Sequence, residues 1–378
     1  MRFLHTADWH IGKKLKGYHL QAEQEAAFLE IEKIASAEKV DAIVIAGDVY
    51  DRGMAAESDV ALVNQMFQKL NLTDQYPLLV ISGNHDSAER LATGSQWYQA
   101  TNFYLKTEFK DVFESVVLDD TQFFLLPYFE LSAARNYYGD QAEIKNVAQA
   151  MELVVADLQK LFLPDKKHVL VAHFFAAGST KTDSETNLTV GGLDIVPLDC
   201  LEVFDYVALG HLHYKNALTH PTIKYSGTPI KFSTSESQHQ KGVWIVDTET
   251  MEIEFKEIKP VNDLIVIEGS FAEITEPEFY QQYRDDDFIA IRLTDQEPII
   301  NVMERLRACY PKILEFTRVG QKSPQTLEKE VAIDAKKEPL EMLASFYQQM
   351  TQQELTEEQL TWALESLMTI QGGQHETD

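Results

Sequence analysis

Seven side chains in this sequence have the types and the order that a pair of divalent metal ions requires. Asp8 and His10 lie in Asp8-Trp9-His10, and Asp48 lies in Gly47-Asp48-Val49-Tyr50-Asp51-Arg52. Asn84 follows in Gly83-Asn84-His85-Asp86, then His173, then His211 and His213 in Gly210-His211-Leu212-His213. Mixed nitrogen and oxygen donors with a shared carboxylate suit two ions about 3.5–4 Å apart, an arrangement that hydrolyses phosphate esters with a metal-activated water. The expected assignment gives one ion Asp8, His10, Asp48 and His213, and the other Asp48, Asn84, His173 and His211. Asp48 is the natural bridge because a carboxylate has two oxygens. Imidazole-rich coordination favours manganese, iron or zinc over magnesium or calcium.

Taken singly, these residues say little. An Asn after Gly is usually a turn residue, and a lone His is usually a satisfied core or surface group. The ordered set reverses both readings. His85 adjoins a ligand and so projects toward substrate, where it would stabilise the transition state or protonate the leaving oxygen. Asp51 is placed to orient His85 and favour its charged form. Arg52 suits either a phosphate contact or a local ion pair with Asp51. Lys13, Lys14 and Lys16 stand just after His10 without an acidic neighbour, as backbone-phosphate contacts or as solvated surface.

The elements that must position these groups are legible around them. Apolar, strand-like stretches precede most of the motifs: 2–6, 42–46, 78–82, 168–171 and 205–209. In an α/β sheet such strand ends converge on one edge, where sites form. Asp8 and His10 alternate on an extended segment and so face one way. Helices are expected over 19–38, 56–70, 88–101 and 143–162; Val60, Val63, Phe67 and Leu70 form the apolar stripe of the second. The polar stretch 174–192 is too long for a casual loop and reads as a mobile active-site loop. Strands over 206–209, 222–225, 242–247 and 252–258 would complete a second sheet packed on the first. The expected fold class is therefore α/β, a four-layer α/β/β/α sandwich spanning residues 1–260.

From 263 to 335 the pattern strand–helix–strand–helix–strand makes a small α+β domain, with elements near 264–268, 276–284, 288–293, 299–310 and 313–318. Two amphipathic helices then form a C-terminal helical hairpin over 337–371. Pro339 opens the first as a favoured first-turn residue, with Leu340, Leu343, Phe346, Tyr347 and Met350 on one side. Thr356 and Gln359 form a capping box for the second, which carries Leu360, Ala363, Leu364, Leu367 and Met368. The polar end, 372–378, is expected to be disordered.

Composition narrows the setting. The chain has 378 residues, 33 Lys and Arg against 60 Asp and Glu, and a net charge of −27. A protein that holds DNA alone usually shows a basic face, so a nucleic-acid substrate would call for a partner that adds contacts. No run is apolar enough for a membrane span. Asp8 and His10 lie too early for a cleaved secretion signal, which would also need an apolar core. The two cysteines, Cys200 and Cys309, lie outside every motif and read as reduced thiols. A cytoplasmic location follows as the expectation.

The motif set resembles the calcineurin-like metallophosphoesterase superfamily. Met1-Arg-Phe-Leu-His-Thr-Ala-Asp-Trp-His-Ile-Gly, the tract Tyr225-Ser-Gly-Thr-Pro and the appended domain are more narrowly similar to the SbcD family, the bacterial counterpart of the Mre-type DNA repair nucleases. That resemblance implies a manganese-dependent exonuclease and endonuclease acting on DNA ends and hairpins, in repair, recombination and replication. It implies that 263–335 is a capping domain directing DNA to the site. It also implies a homodimer, pairing through helices near 56–70 and 88–101, that forms a heterotetramer with the SbcC ATPase and joins the nucleoid when bound to DNA. The C-terminal helices would grip that partner through Leu343, Phe346, Tyr347, Leu360, Leu364 and Leu367. One basic residue against eight acidic from Lys337 onward suits a basic groove on a partner, or a solvated hairpin packed on its own domain. Archaeal and eukaryotic members carry a His where this chain has Asp51; the Asp form is similar to the phosphoprotein phosphatases and favours an Asp51–His85 pair. The alternative within the superfamily is a phosphodiesterase for nucleotides or other small esters.

Overall fold

The computed structural model describes residues 1–184, 195–319, 339–351 and 354–372. The chain forms two compact units, one of residues 1–267, 272–291 and 300–315, the other of the remainder.

The first unit is built on two sheets. One has six strands in the order Glu252–Glu257, Gly242–Asp247, Arg2–Thr6, Ala42–Ala46, Leu78–Ile81, Phe103–Lys106. Its last four strands run parallel and the first two add an antiparallel edge. The other sheet has five: Ile223–Tyr225, Tyr206–Gly210, Lys167–His173, Thr121–Leu126 and Val116–Leu118. Phe3, Val44, Leu79 and Ile81 from one sheet meet Phe123, Val169, Val171 and Tyr206 from the other in a fully buried seam. The outer face of the six-stranded sheet is covered by Phe28 and Ile31 of Gln21–Ala37 and by Val63 and Phe67 of Glu57–Gln68. The outer face of the other is covered by Met151, Val154 and Leu158 of Val147–Gln159. This is the expected α/β/β/α sandwich. Central strands such as Ala42–Ala46 are apolar throughout because both of their faces are buried.

Three expectations need correction. The hairpin of Gly242–Asp247 and Glu252–Glu257 joins the first sheet, not the second, pairing antiparallel with Arg2–Thr6. Its apolar pattern suited either sheet, so only the chain's return path decided the matter. The single helix expected over 88–101 is instead Ala88–Leu91, Ser95–Tyr98 and a tight final turn Gln99–Thr101, broken where Gly94 takes φ +84°. Val60 is not part of a buried stripe but stands 40% exposed, while Val63, Phe67 and Leu70 are buried.

The strands Leu264–Gly269, Phe288–Leu293 and Ile313–Arg318 form a three-stranded sheet with short helices between them. The C-terminal helices run Pro339–Thr351 and Glu357–Gly372. The capping box closes reciprocally: Thr356 N–H donates to Gln359 Oε1 at 2.9 Å, and Gln359 N–H to Thr356 Oγ1 at 3.3 Å. Gln359 Nε2 also donates to Tyr347 Oη at 3.2 Å, joining the two helices. Leu343 and Leu364 are each 41% exposed, and Trp362 more so. Leu360 and Tyr347 are half-buried. The side chains of Phe346 and Leu367, the linking residues 320–338, the tail 373–378 and most of the expected loop 174–192 (from 185 on) lie outside the described residues.

Candidate metal centre

All seven expected ligands meet at one edge of the two sheets, at the ends of the strands Arg2–Thr6, Ala42–Ala46, Leu78–Ile81, Lys167–His173 and Tyr206–Gly210. The backbone turns sharply there. Asp8, His10, Asp48 and His211 take φ of 54°, 44°, 51° and 96°, a region L-residues rarely enter and one that clusters at functional sites. The turns are laced together by Asp8 N–H to Gly47 O (3.0 Å) and His10 N–H to Asp48 O (3.0 Å). Gly83 and Gly210 permit the close approach: a Cβ on Gly83 would lie 2.2 Å from Asp48 Oδ1, and one on Gly210 1.9 Å from Ala46 O.

The donor atoms face inward. Asp48 Oδ2 lies 3.3 Å from His173 Nε2 and 3.6 Å from His10 Nε2, between the two groups it was expected to bridge. His10 Nε2 and His213 Nε2 are only 3.1 Å apart. Asn84 Oδ1 lies 3.0 Å from both His173 Nε2 and His211 Nδ1. Asp8 accepts the His211 N–H at 2.9 Å. Asp8, His10 and His213 form one group able to hold an ion, and Asp8, Asp48 and His173 another.

The electrostatics suit bound cations. Burial holds His10 and His213 well below the ordinary imidazole range, and burial with the charge of His173 lowers His211 to about 3. Three neutral rings thus offer lone pairs. Burial would lower His173, but the Asp48 carboxylate outweighs it and raises the ring to about 9; a divalent ion would displace that proton. Burial would likewise raise Asp48, yet His173 holds it well below the ordinary carboxylate range. Buried His10 Nδ1 and His211 Nε2 have no hydrogen-bond partner among the described residues. His10 Nε2 and His213 Nε2, 3.1 Å apart and set among carboxylates, can share one proton, and a divalent ion would take that proton's place.

His85 is fixed differently from the expectation. Its Nδ1 meets the backbone carbonyl of Asp51 at 2.7 Å, and a carbonyl only accepts, so Nδ1 carries a proton. The Asp51 carboxylate instead pairs with Lys13 Nζ (2.9 Å) and Arg52 Nε (3.4 Å). The guanidinium of Arg52 otherwise faces solvent. Lys13 also lies over the Phe232 ring, and Lys16 lies 3.8 Å from Glu315. Lys14 is exposed and has no ion pair within 4.0 Å among the described residues. Lys13, Lys14, Arg52 and Asp51 line a groove of about 590 Å³ beside the ligands.

Two supporting residues escaped the sequence reading. Asp86 accepts the N–H groups of Gly83 (2.9 Å), Val49 (3.1 Å) and Tyr50 (2.9 Å), locking the two ligand turns to each other. Burial and the Asp48 charge push its carboxyl up to about 6 despite those bonds. Its position at the end of Gly83-Asn84-His85-Asp86 was the available signal. Gln24 donates from inside its helix to the carbonyls of Trp9 (3.2 Å) and His10 (2.7 Å), with nothing local to announce it.

Residues 1–215 match the calcineurin-like phosphoesterase family model. Residues 260–351 match the type 5 capsule protein repressor C-terminal domain. A Staphylococcus epidermidis protein named as the SbcD component of the SbcCD nuclease is 32% identical over 95% of this chain and 96% of its own. The chain belongs to the SbcD family of calcineurin-like phosphoesterases. A second member, from Staphylococcus saprophyticus, is 30% identical over 98% of both chains. Among solved structures, a dimetal phosphatase from Danio rerio overlaps 68% of this chain and 95% of its own at 12% identity and a TM-score of 0.40. No helix among the described residues is long and apolar enough to cross a membrane. Family membership and the geometry agree on a divalent-metal phosphoesterase site.

Proposed function

We propose that this chain is the nuclease component of an SbcCD-type complex, a metal-dependent hydrolase of DNA phosphodiesters. It acts as an exonuclease on double-strand ends and an endonuclease on single strands and hairpins, in repair, recombination and replication, with manganese as the working metal. The observation that carries this reading is that similarity to SbcCD nuclease components runs through 95–98% of the chain and encloses the whole ligand set. A bound pair of divalent ions supplies an activated water and neutralises developing charge. Asp8, His10, Asp48 and His213 hold one ion; Asp48, Asn84, His173 and His211 hold the other. His85, held through Nδ1 by the Asp51 carbonyl beside the ligands, stabilises the transition state or protonates the leaving oxygen. Arg52 and the lysines steer the phosphate backbone along the adjoining groove.

Residues 1–260 act as the nuclease domain and 263–335 cap it and direct DNA. Residues 337–371 bind the SbcC ATPase, and 372–378 are a tail. Exposed Val60 and Trp97 support a homodimer built on 56–70 and 88–101, hence a heterotetramer with SbcC. The complex works in the cytoplasm, on the nucleoid when DNA-bound. The test is cleavage of end-labelled, hairpin-capped DNA in manganese, with and without the ATPase partner and ATP. Cutting stimulated by the partner is expected. Intact DNA ends with hydrolysis of small diesters alone would move the substrate to nucleotides or other small esters.

Among the basic residues, Lys14 is the most available for DNA. Lys14→Ala is expected to weaken binding equally for unrelated sequences and to reduce the slope of log affinity against log salt by about 1. Equal slopes for the variant and wild type would remove Lys14 from the DNA path.

A further inference from the structure

His213 is gripped on both sides of its ring. Nε2 points to His10, while Nδ1 lies 2.6 Å from Ser184 Oγ. That hydroxyl also lies 2.5 Å from Glu236 Oε1 and 2.9 Å from Thr182 Oγ1. Glu236 is fully buried, accepts Ser233 Oγ at 2.9 Å, and forms an ion pair with buried Lys241. Lys241 in turn donates to His213 O (2.8 Å) and Thr228 Oγ1 (2.7 Å). Burial would raise the Glu236 carboxyl, but Lys241 and the hydroxyl donors hold it low and charged.

An ionised carboxylate only accepts hydrogen bonds, so the Ser184 proton goes to Glu236. A hydroxyl has one proton, so Ser184 must accept from His213 Nδ1–H. That choice leaves the Nε2 lone pair aimed into the metal centre. Partners of this kind behind a metal-binding imidazole fix its tautomer and raise its basicity. We infer that Ser184 and Glu236 are positioning residues that lock His213 in its metal-binding tautomer, with Lys241 holding Glu236 in its ionised form. This rests on the metal reading given under Proposed function, and it assigns work to residues remote in sequence from every ligand motif.

The test is Mn²⁺ titration of the full-length chain by calorimetry and electron paramagnetic resonance. Wild-type protein is expected to bind two ions and show the signal of a coupled pair. Ser184→Ala, which spares the Glu236–Lys241 pair, is expected to weaken one of the two sites about 10–100-fold, so that an isolated-ion signal appears at intermediate loading. Ser184→Thr, which keeps a hydroxyl, should restore the coupled signal. The melting temperature of the metal-free Ser184→Ala protein should fall by only a few degrees, the cost of one unmet buried hydrogen bond. Wild-type affinity for both ions in Ser184→Ala would overturn the inference alone. So would a Thr variant as weak as Ala, since the hydroxyl would then not be what holds the ring. A wild-type chain that binds no Mn²⁺ would overturn both this inference and the metal reading beneath it.

Discussion

Asp48→Asn is expected to cut DNA hydrolysis by at least about a thousand-fold, the several kcal/mol that paired ions supply. It should also leave the chain with fewer than two bound metals. The side chain is almost fully buried, with Oδ2 3.3 Å from His173 Nε2 and 3.6 Å from His10 Nε2. It therefore reaches toward both halves of the centre. Asn keeps the size and the oxygen that accepts the His85 N–H at 2.8 Å, so the change isolates the charge. Without that charge His173 loses the anion that keeps it protonated in the metal-free site, and two cations would share a less negative pocket. Metal analysis beside steady-state cleavage checks this. Two tightly bound ions and near-normal cutting would mean that Asp48 does not bridge.

His85→Ala should lower cleavage by about 10²–10⁴-fold, the usual range for a positioned proton donor, while both metals stay bound. The ring packs edge-on to His10 with centroids 4.7 Å apart, yet its Nδ1 is tied to the Asp51 carbonyl and not to a ligand. Substrates separate the possible roles. If His85 protonates the leaving oxygen, the loss should shrink for a diester with an acidic nitrophenol leaving group, which departs without a proton. An equal loss on both substrates would assign His85 to phosphate stabilisation. A loss of metal in step with activity would make it part of the metal shell.

The unexpected carbonyl contact changes how Asp51 should be viewed. Its carboxylate pairs with Lys13 and Arg52 and stays within 4.8 Å of the His85 and His10 rings, while its backbone carbonyl holds His85 Nδ1. Arg52 does form the local pair with Asp51, but only through Nε, and the side chain is 84% exposed. Both readings of Arg52 survive in one geometry: one edge is engaged and the remainder faces the groove.

Much of the candidate centre was legible in the sequence because most of its motifs lie at or just past the end of an apolar strand. A parallel strand buried on both faces shows as a continuous apolar run, and its end must lie at the sheet edge. Gly47, Gly83 and Gly210 stand where the backbone needs room: a Cβ on them would lie 2.5 Å from His173 Nδ1, 2.2 Å from Asp48 Oδ1 and 1.9 Å from Ala46 O. The capping box at Thr356 and Gln359 was readable for the same reason, being a local hydrogen-bond exchange over three residues.

The sequence by itself determined the candidate ligand set and its order, the layered α/β class and the family, because these depend on local pattern and short spacing. Only the tertiary structure decided which sheet receives Gly242–Asp247, since an apolar strand pairs equally well with any edge whose register the chain can reach. It also decided that Ser184, Glu236 and Lys241 gather behind His213. Contacts across 29 and 52 residues leave no periodicity to read. They arise only when the sheets close and a buried polar group must find its partner.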